Sequence, residues 1–304
     1  MEWEVVVIEW LQSHVGSFGI HLGRVLTFVG GEKGLMITIL FVMFCWKKEV
    51  GRKTALILTA MSTWLTMIKA VVKRPRPYLQ YPDRVKMLAK VEAEAAADDV
   101  AAQGYSFPSM HSASVSLLYF SLAEYVKKKW MWILAVILTL LIAYSRVMAG
   151  AHYPTDVFAG LLIGFASMGI YALLEKHVKK EWLQNLILLL SALPGMIFVR
   201  TQDYYTSLGM LTALVAAIPF EEKYVNYKST DSIIAKILRL TGALAVYFAL
   251  NSLLKLPFSS EFLDSSTFLS LLVRTIRYAI VMFVVLGVYP LIFPLYEKIG
   301  KNKK

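Results

Sequence analysis

The chain has 304 residues, of which 57% are hydrophobic and 17% charged, and its mean hydropathy of +0.57 exceeds what a soluble domain needs to fill its core. The formal net charge of +11 comes as short lysine clusters between apolar runs, where basic residues report membrane topology and not a nucleic-acid partner. A single cysteine, Cys45, excludes an intrachain disulfide.

The opening MEWEVVVIEWLQSHVG carries acids where a secretory signal carries basic residues, so it is not read as a cleaved signal. Its apolar residues alternate with Glu2, Glu4, Glu9 and Gln12. Residues 1–28 are therefore expected to hold a short interfacial helix with tryptophans at headgroup depth, a buried soluble-type helix being the alternative. Apolar runs follow near residues 29–46, 54–73, 109–126, 130–148, 156–174, 184–199, 205–220, 234–255 and 268–293. Crossing a bilayer takes about 20 apolar residues, and the backbone must be helical because lipid satisfies no stray N–H or C=O. The fold expected is all-α, a polytopic membrane helical bundle with about nine transmembrane helices. The 184–220 hairpin is its weakest part, short and broken by Pro194; without it seven spans remain.

With nine spans, the clusters at Lys47-Lys48 with Arg52-Lys53, Lys127 to Lys129, Lys176 with Lys179-Lys180, Lys223 with Lys228, and the tail from Lys298 share one side. The positive-inside rule makes that side cytoplasmic, with the N-terminus outside and the C-terminus inside. The largest outside segment, residues 75–107, contains DRVKMLAKVEAEAAADDVAAQ, which has no interior Gly or Pro and is expected to be a helix ended by Gly104.

Polar residues gather at the outer span ends. Lys69 lies about a turn inside its span, where a cation is costly unless it meets a cavity, the protein interior or an anion, and Arg76-Pro77 follows. FPSMHSA puts Ser109 and His111 at the start of the next apolar run, with Pro108 expected to begin the helix. AYSRVMAGAHYPTDVFAG supplies Ser145, Arg146, His152 and Asp156. Cations and a helix N-terminus suit a phosphate, and two histidines add acid–base or nucleophilic chemistry. His152 and Asp156 stand four positions apart at a helix start, so the carboxylate is expected to accept one ring N–H and fix the tautomer. Lys73, Arg74 and Arg84 read as snorkelling anchors, and His14, His21 and His177 as ordinary interface or loop residues.

Taken in order, Lys69 with six residues to Arg76-Pro77, then Pro108-Ser109-Met110-His111, then Ser145-Arg146 with five residues to His152 and three to Asp156, resemble the signature of the type 2 phosphatidic acid phosphatases. That family shares its site with vanadium haloperoxidases and glucose-6-phosphatases. The resemblance covers residues 69–156, and its middle piece departs from the pattern: Met110 stands where the family most often has glycine. Methionine keeps the backbone N–H and adds a thioether at the pocket wall, a departure also found in sphingosine-phosphate phosphatases.

The resemblance implies a six-span phosphatase core with extra C-terminal spans, here residues 29–180 and 181–304. It also implies an outward-facing site in which His152 is the nucleophile, Asp156 its orienting acid and His111 the general acid and base. Lys69, Arg76, Ser109, the Met110 N–H, Ser145 and Arg146 then hold the phosphate. No metal or cofactor is implied; the partners are a lipid phosphate substrate and the bilayer. A glucose-6-phosphatase-like sugar phosphatase is the alternative, and a lipid transporter or scramblase using Arg239, Arg274 and Arg277 is a second one.

Overall fold

The computed structural model describes residues 2–88 and 104–301, and every regular element among them is helical. Six helices are long and apolar enough to cross a membrane: Lys48–Gln80, Lys129–Met148, Pro154–His177, Glu181–Phe198, Ile233–Leu253 and Phe268–Ile299. A seventh is added if the pair Ser17–Gly30 and Glu32–Trp46, bent by 52°, forms one span. A helix overlies each of the nine expected runs, but two differ in kind from the rest. Met110–Val126 has only 17 residues, and Gln202–Tyr224 holds Pro219 in its interior and Glu221 at a buried position. Of the helix expected in the 75–107 segment, residues 89–103 lie outside the described residues. Its first part is not helical: a turn at residues 82–84 leads into irregular chain as far as residue 88.

The chain divides into two compact units. The first comprises Met1–Leu35 and Trp64–Leu173, the second Met36–Thr63 and Leu174–Lys304. In the first unit the Met110–Val126 helix is the centre, buried over most of its surface from Ser112 to Ala123, as expected of a helix that is apolar all round. Ser109, not Pro108, caps it. The Ser109 backbone is extended (φ −73°, ψ 112°), its side chain accepts from Ser112 N, and the helix closes at Lys127 in the left-handed region. Lys129–Met148 packs on this helix and on Ser17–Gly30. Its other face leaves Ile133 and Leu140 about 60% exposed, a surface suited to lipid.

Pro154 opens the next helix, at a position where its missing N–H costs nothing. The glycines at 160 and 164 let this helix reach the backbone of Met110–Val126. A Cβ on Gly164 would meet Ala113 O at 2.6 Å, and one on Gly160 would lie 3.1 Å from Ser112 Cβ and closer still to Ser109 O. Small residues four apart are how membrane helices approach closely. Above these helix ends, Val5 and Ile8 of the N-terminal helix (Glu2–His14) pack with Tyr78, Val85, Ala143, Val147, Tyr153 and Val157.

In the second unit Gln202–Tyr224 packs along Phe268–Phe283, and Gly209 permits the contact with Thr275 O. Buried Glu221 pairs with Lys48 at 3.3 Å and with Arg52. Arg239, 2% exposed, ties together Phe44 O, Lys228 O and Glu297. Arg274 and Arg277 donate to Gln202 and Asn251 within the same unit.

Candidate active site

Four helix ends of the first unit bring the three sequence motifs together. Lys69 sits in the last turn of Lys48–Val72 and is 8% exposed; its ammonium donates to Tyr105 O and, at 3.5 Å, to Ser106 O. Arg76 follows in extended chain just before Pro77. Its Nε donates to Gly104 O and its Nη1 to Ala151 O, each at 2.9 Å. These two cations therefore staple the chain at residues 104–106 to the loop holding His152, besides lending charge.

Arg146 is different. It lies in the last turn of Lys129–Met148 and is fully buried. Nη1 donates to Thr27 Oγ1 at 3.0 Å, while Nε and Nη2 are buried with no hydrogen-bond partner among the described residues. Orphaned buried donors are costly, and a guanidinium in that state suits an anion with several acceptor oxygens.

His152 is 2% exposed. Its Nε2 stands 3.4 Å from Arg76 Nη1. The Ser106 backbone also bears on the ring. On the other side, Nδ1 lies 3.7 Å from Asp156 Oδ2, too far for the hydrogen bond expected from their spacing. The reason is competition. Asp156 Oδ2 accepts from Ser106 Oγ and from Tyr153 N at 2.9 Å, and Oδ1 accepts from Arg74 Nη1 at 2.6 Å. Burial, then the charges of Arg76, Lys69 and Arg146, hold the His152 ring well below the usual histidine range, so it is neutral at pH 7 with its Nε2 lone pair turned toward the Arg76 N–H.

Ser109 is fully buried; its N donates to Asp156 O at 2.9 Å and its Oγ accepts from Ser112 Oγ at 3.0 Å. The N–H groups of Met110 and His111 come before the first intrahelical bond, Ala113 N to Ser109 O, where a helix offers free donors. Both side chains are half-buried, and Arg146, His152, Arg76 and Lys69 all lie within electrostatic range of His111. Ser145 departs from expectation: its Oγ donates to Ile142 O at 2.7 Å, so the hydroxyl is spent on its own helix.

Sequence reasoning missed four contributors. Arg74 looked like an interfacial anchor, yet it grips Asp156 and lies 3.8 Å over the Tyr153 ring. Glu4, Ser106 and Thr27 carry no motif signal. Glu4 lies 70 residues from Arg74 in the chain, and only the fold makes them neighbours.

A helical membrane protein with a buried, cation-lined site at its helix ends is the class so defined. The sequence model of the PAP2 superfamily matches residues 51–179, and a second, the PAP2 superfamily phosphatase transmembrane extension, matches residues 205–300. The chain belongs to the PAP2 superfamily. It is similar to an undecaprenyl-diphosphatase of Sulfolobus acidocaldarius, 48% identical over 60 residues, covering 20% of this chain and 29% of that protein. A lipid A 4'-phosphatase of Bacteroides thetaiotaomicron is 38% identical over 61 residues, 20% of this chain and 27% of the other. A lipid A 1-phosphatase of Rhizobium johnstonii is 26% identical over 162 residues, 47% of this chain and 63% of the other. The first two matches thus span less than a third of those relatives' length. No solved structure matches the chain.

Proposed function

We propose that this protein is an integral-membrane phosphatase that hydrolyses lipid phosphate monoesters or pyrophosphates through a phosphohistidine on His152. The observation that carries the reading is Arg146: a buried guanidinium with two nitrogens unpartnered among the described residues, within electrostatic range of both histidines. A phosphoryl group supplies the acceptors that this arginine lacks.

In the first step Nε2 of His152 donates its lone pair to phosphorus while the P–O bond to the lipid breaks. His111, charged as imidazolium once the anionic phosphate is bound beside it, gives its ring proton to the departing oxygen, an alkoxide from a monoester or a phosphate from a pyrophosphate, and is left neutral. In the second step His111 takes a proton from water, the oxygen attacks phosphorus, and the P–N bond breaks to release phosphate and free His152. Charge gathers on the equatorial oxygens throughout, which is where fixed cations and N–H dipoles contribute most. Arg146, Lys69, Arg76 and the N–H groups of Met110 and His111 fill that role. Ser109 acts as the cap that aims those N–H groups, and Asp156 sets the field behind Nδ1. No step uses a metal.

Lipid substrates are supported by the relatives' names, an undecaprenyl diphosphatase and two lipid A phosphatases, and by the site's position at span ends, where a headgroup phosphate arrives without leaving the bilayer. The lysine clusters support a site on the extracytoplasmic face. Phosphate release from dispersed phosphatidate, polyprenyl pyrophosphate, sphingoid-base phosphate and glucose 6-phosphate, with EDTA present, tests the proposal. His152→Ala is expected to abolish turnover and His111→Ala to lose less with nitrophenol as leaving group. Strict metal dependence, or full activity in His152→Ala, refutes the mechanism. Faster turnover of glucose 6-phosphate than of any lipid refutes the substrate class.

A further inference from the structure

The polar face of the N-terminal helix is spent on the surroundings of the site. Glu2 and Glu9 hold Arg84 between them at 2.5 and 2.6 Å. Gln12 donates to Lys86 O at 2.7 Å and Met148 O at 3.0 Å, and accepts from Lys86 N at 2.9 Å. These contacts are docking contacts. Glu4 goes further: it is 1% exposed and accepts from Thr155 N at 3.2 Å, Thr155 Oγ1 at 2.6 Å and Arg74 Nη2 at 2.7 Å. Arg74 is the bridge, because its other terminal nitrogen is the one bound to Asp156 Oδ1 at 2.6 Å.

A carboxylate gripped by a guanidinium loses most of its field at a distance. Asp156 with Arg74 alone presents no net charge to His152. The row Glu4, Arg74, Asp156 carries one net negative charge. We infer that Glu4 is a positioning residue of the active site: a carboxylate delivered by the N-terminal helix that acts through Arg74 to keep Asp156 oriented and the site anionic behind His152. Glu4 never touches the phosphate. The inference rests on His152 being the nucleophile, since bond formation at Nε2 leaves the ring cationic, and a negative field at Nδ1 stabilises that cation.

The groups that bear on His152 fix the sign of the effect. Arg76, Lys69 and Arg146 are cations, His111 is a second imidazole, and Asp156 is the carboxylate that faces it. Glu4 itself faces Arg74 and Thr155. Removing the charge of Glu4 leaves a neutral row against three cations, so the His152 ring becomes less basic and carries the phosphoryl group less readily.

The test compares Glu4→Gln, Glu4→Asp, Gln12→Ala and His152→Ala as purified full-length protein in nanodiscs, with a lipid phosphate as substrate. Glu4→Gln is expected to lower kcat on the order of tenfold with KM within about twofold, and to move the acid limb of the kcat profile down by about one pH unit. Glu4→Asp keeps the charge and leaves the limb where wild type has it. Wild-type kcat and an unmoved limb in Glu4→Gln, with His152→Ala inactive, overturn the inference and leave the nucleophile reading intact. An active His152→Ala takes down both. The same loss and shift in Gln12→Ala would mean that docking, not the charge, is what matters, and overturns it too. Should Glu4→Gln fail to fold, Glu4→Asp decides: reduced kcat with an unmoved limb supports the role, and a shifted limb refutes it.

Discussion

Gly160→Ala tests whether the close helix approach is what assembles the site. The added methyl would lie 3.1 Å from Ser112 Cβ and 3.3 Å from Ser109 C, with Ser109 O closer than either. Ordinary contact begins near 3.4 Å, and the obstacle is backbone that cannot swing aside, so the two helices must part by about 1 Å. That displacement falls on the N-terminus of Met110–Val126, whose Ser109 N donates to Asp156 O at 2.9 Å. It moves the Met110 and His111 donors away from His152. A misplacement of about 1 Å costs on the order of a hundredfold in rate. The expected outcome is a folded variant whose kcat on lipid phosphate falls by about two orders of magnitude while vanadate still binds. Wild-type kcat in Gly160→Ala would refute the claim that this contact sets the geometry.

Arg146→Met removes a buried guanidinium with two nitrogens orphaned among the described residues, so the ligand-free protein is expected to gain thermal stability while losing the Tm rise expected of wild type with orthovanadate; a lower apo Tm argues against the orphaned state. Burial and three cations depress the basicity of His152, so its lone pair is available down to pH values well below 6.5. Corrected for substrate ionisation, the acid limb of kcat/KM should fall in that lower range, and a limb at 6.5 or above refutes the assignment. Ser145→Ala is expected to keep kcat/KM within about threefold, since the hydroxyl bonds to Ile142 O; a hundredfold loss restores it to the phosphate site. Glu221→Gln leaves Lys48 and Arg52 without their buried carboxylate and should cost about 3–5 kcal/mol of stability, seen as a lower Tm with unchanged KM.

The helices were legible because lipid imposes one rule along each span, and apolar runs of fixed length report it. Motif residues were legible for a related reason: Lys69, Arg76, Arg146, His152 and Asp156 occupy span ends, where a charged residue is conspicuous. What stayed hidden is how their hydrogen bonds are shared. Spacing alone joined Asp156 to His152, but the carboxylate's oxygens are taken by Ser106, Tyr153 N and Arg74, partners that no local pattern reveals. Ser145 sits beside Arg146 in sequence, yet its hydroxyl is drawn to its own helix. Glu4 lies on a helix whose alternation reads equally well as interfacial or docked.

The three cations of the site divide the work in a way that their common charge conceals. Lys69 and Arg76 each bind backbone carbonyls, so the fold already compensates part of their burial, and they hold the chain at residues 104–106 and 151 in place with or without substrate. Arg146 has Thr27 as its hydrogen-bond partner and two nitrogens with none among the described residues, for which an arriving anion would supply acceptors. A site made wholly of Arg76-like groups would be rigid and bind phosphate weakly, because each new contact would displace an existing one. One made wholly of Arg146-like groups would strain the unliganded fold by several kcal/mol per orphan. On the proposed mechanism, one uncompensated guanidinium among two anchored cations would concentrate affinity where charge develops during transfer, with Arg76 Nη1 standing 3.4 Å from His152 Nε2.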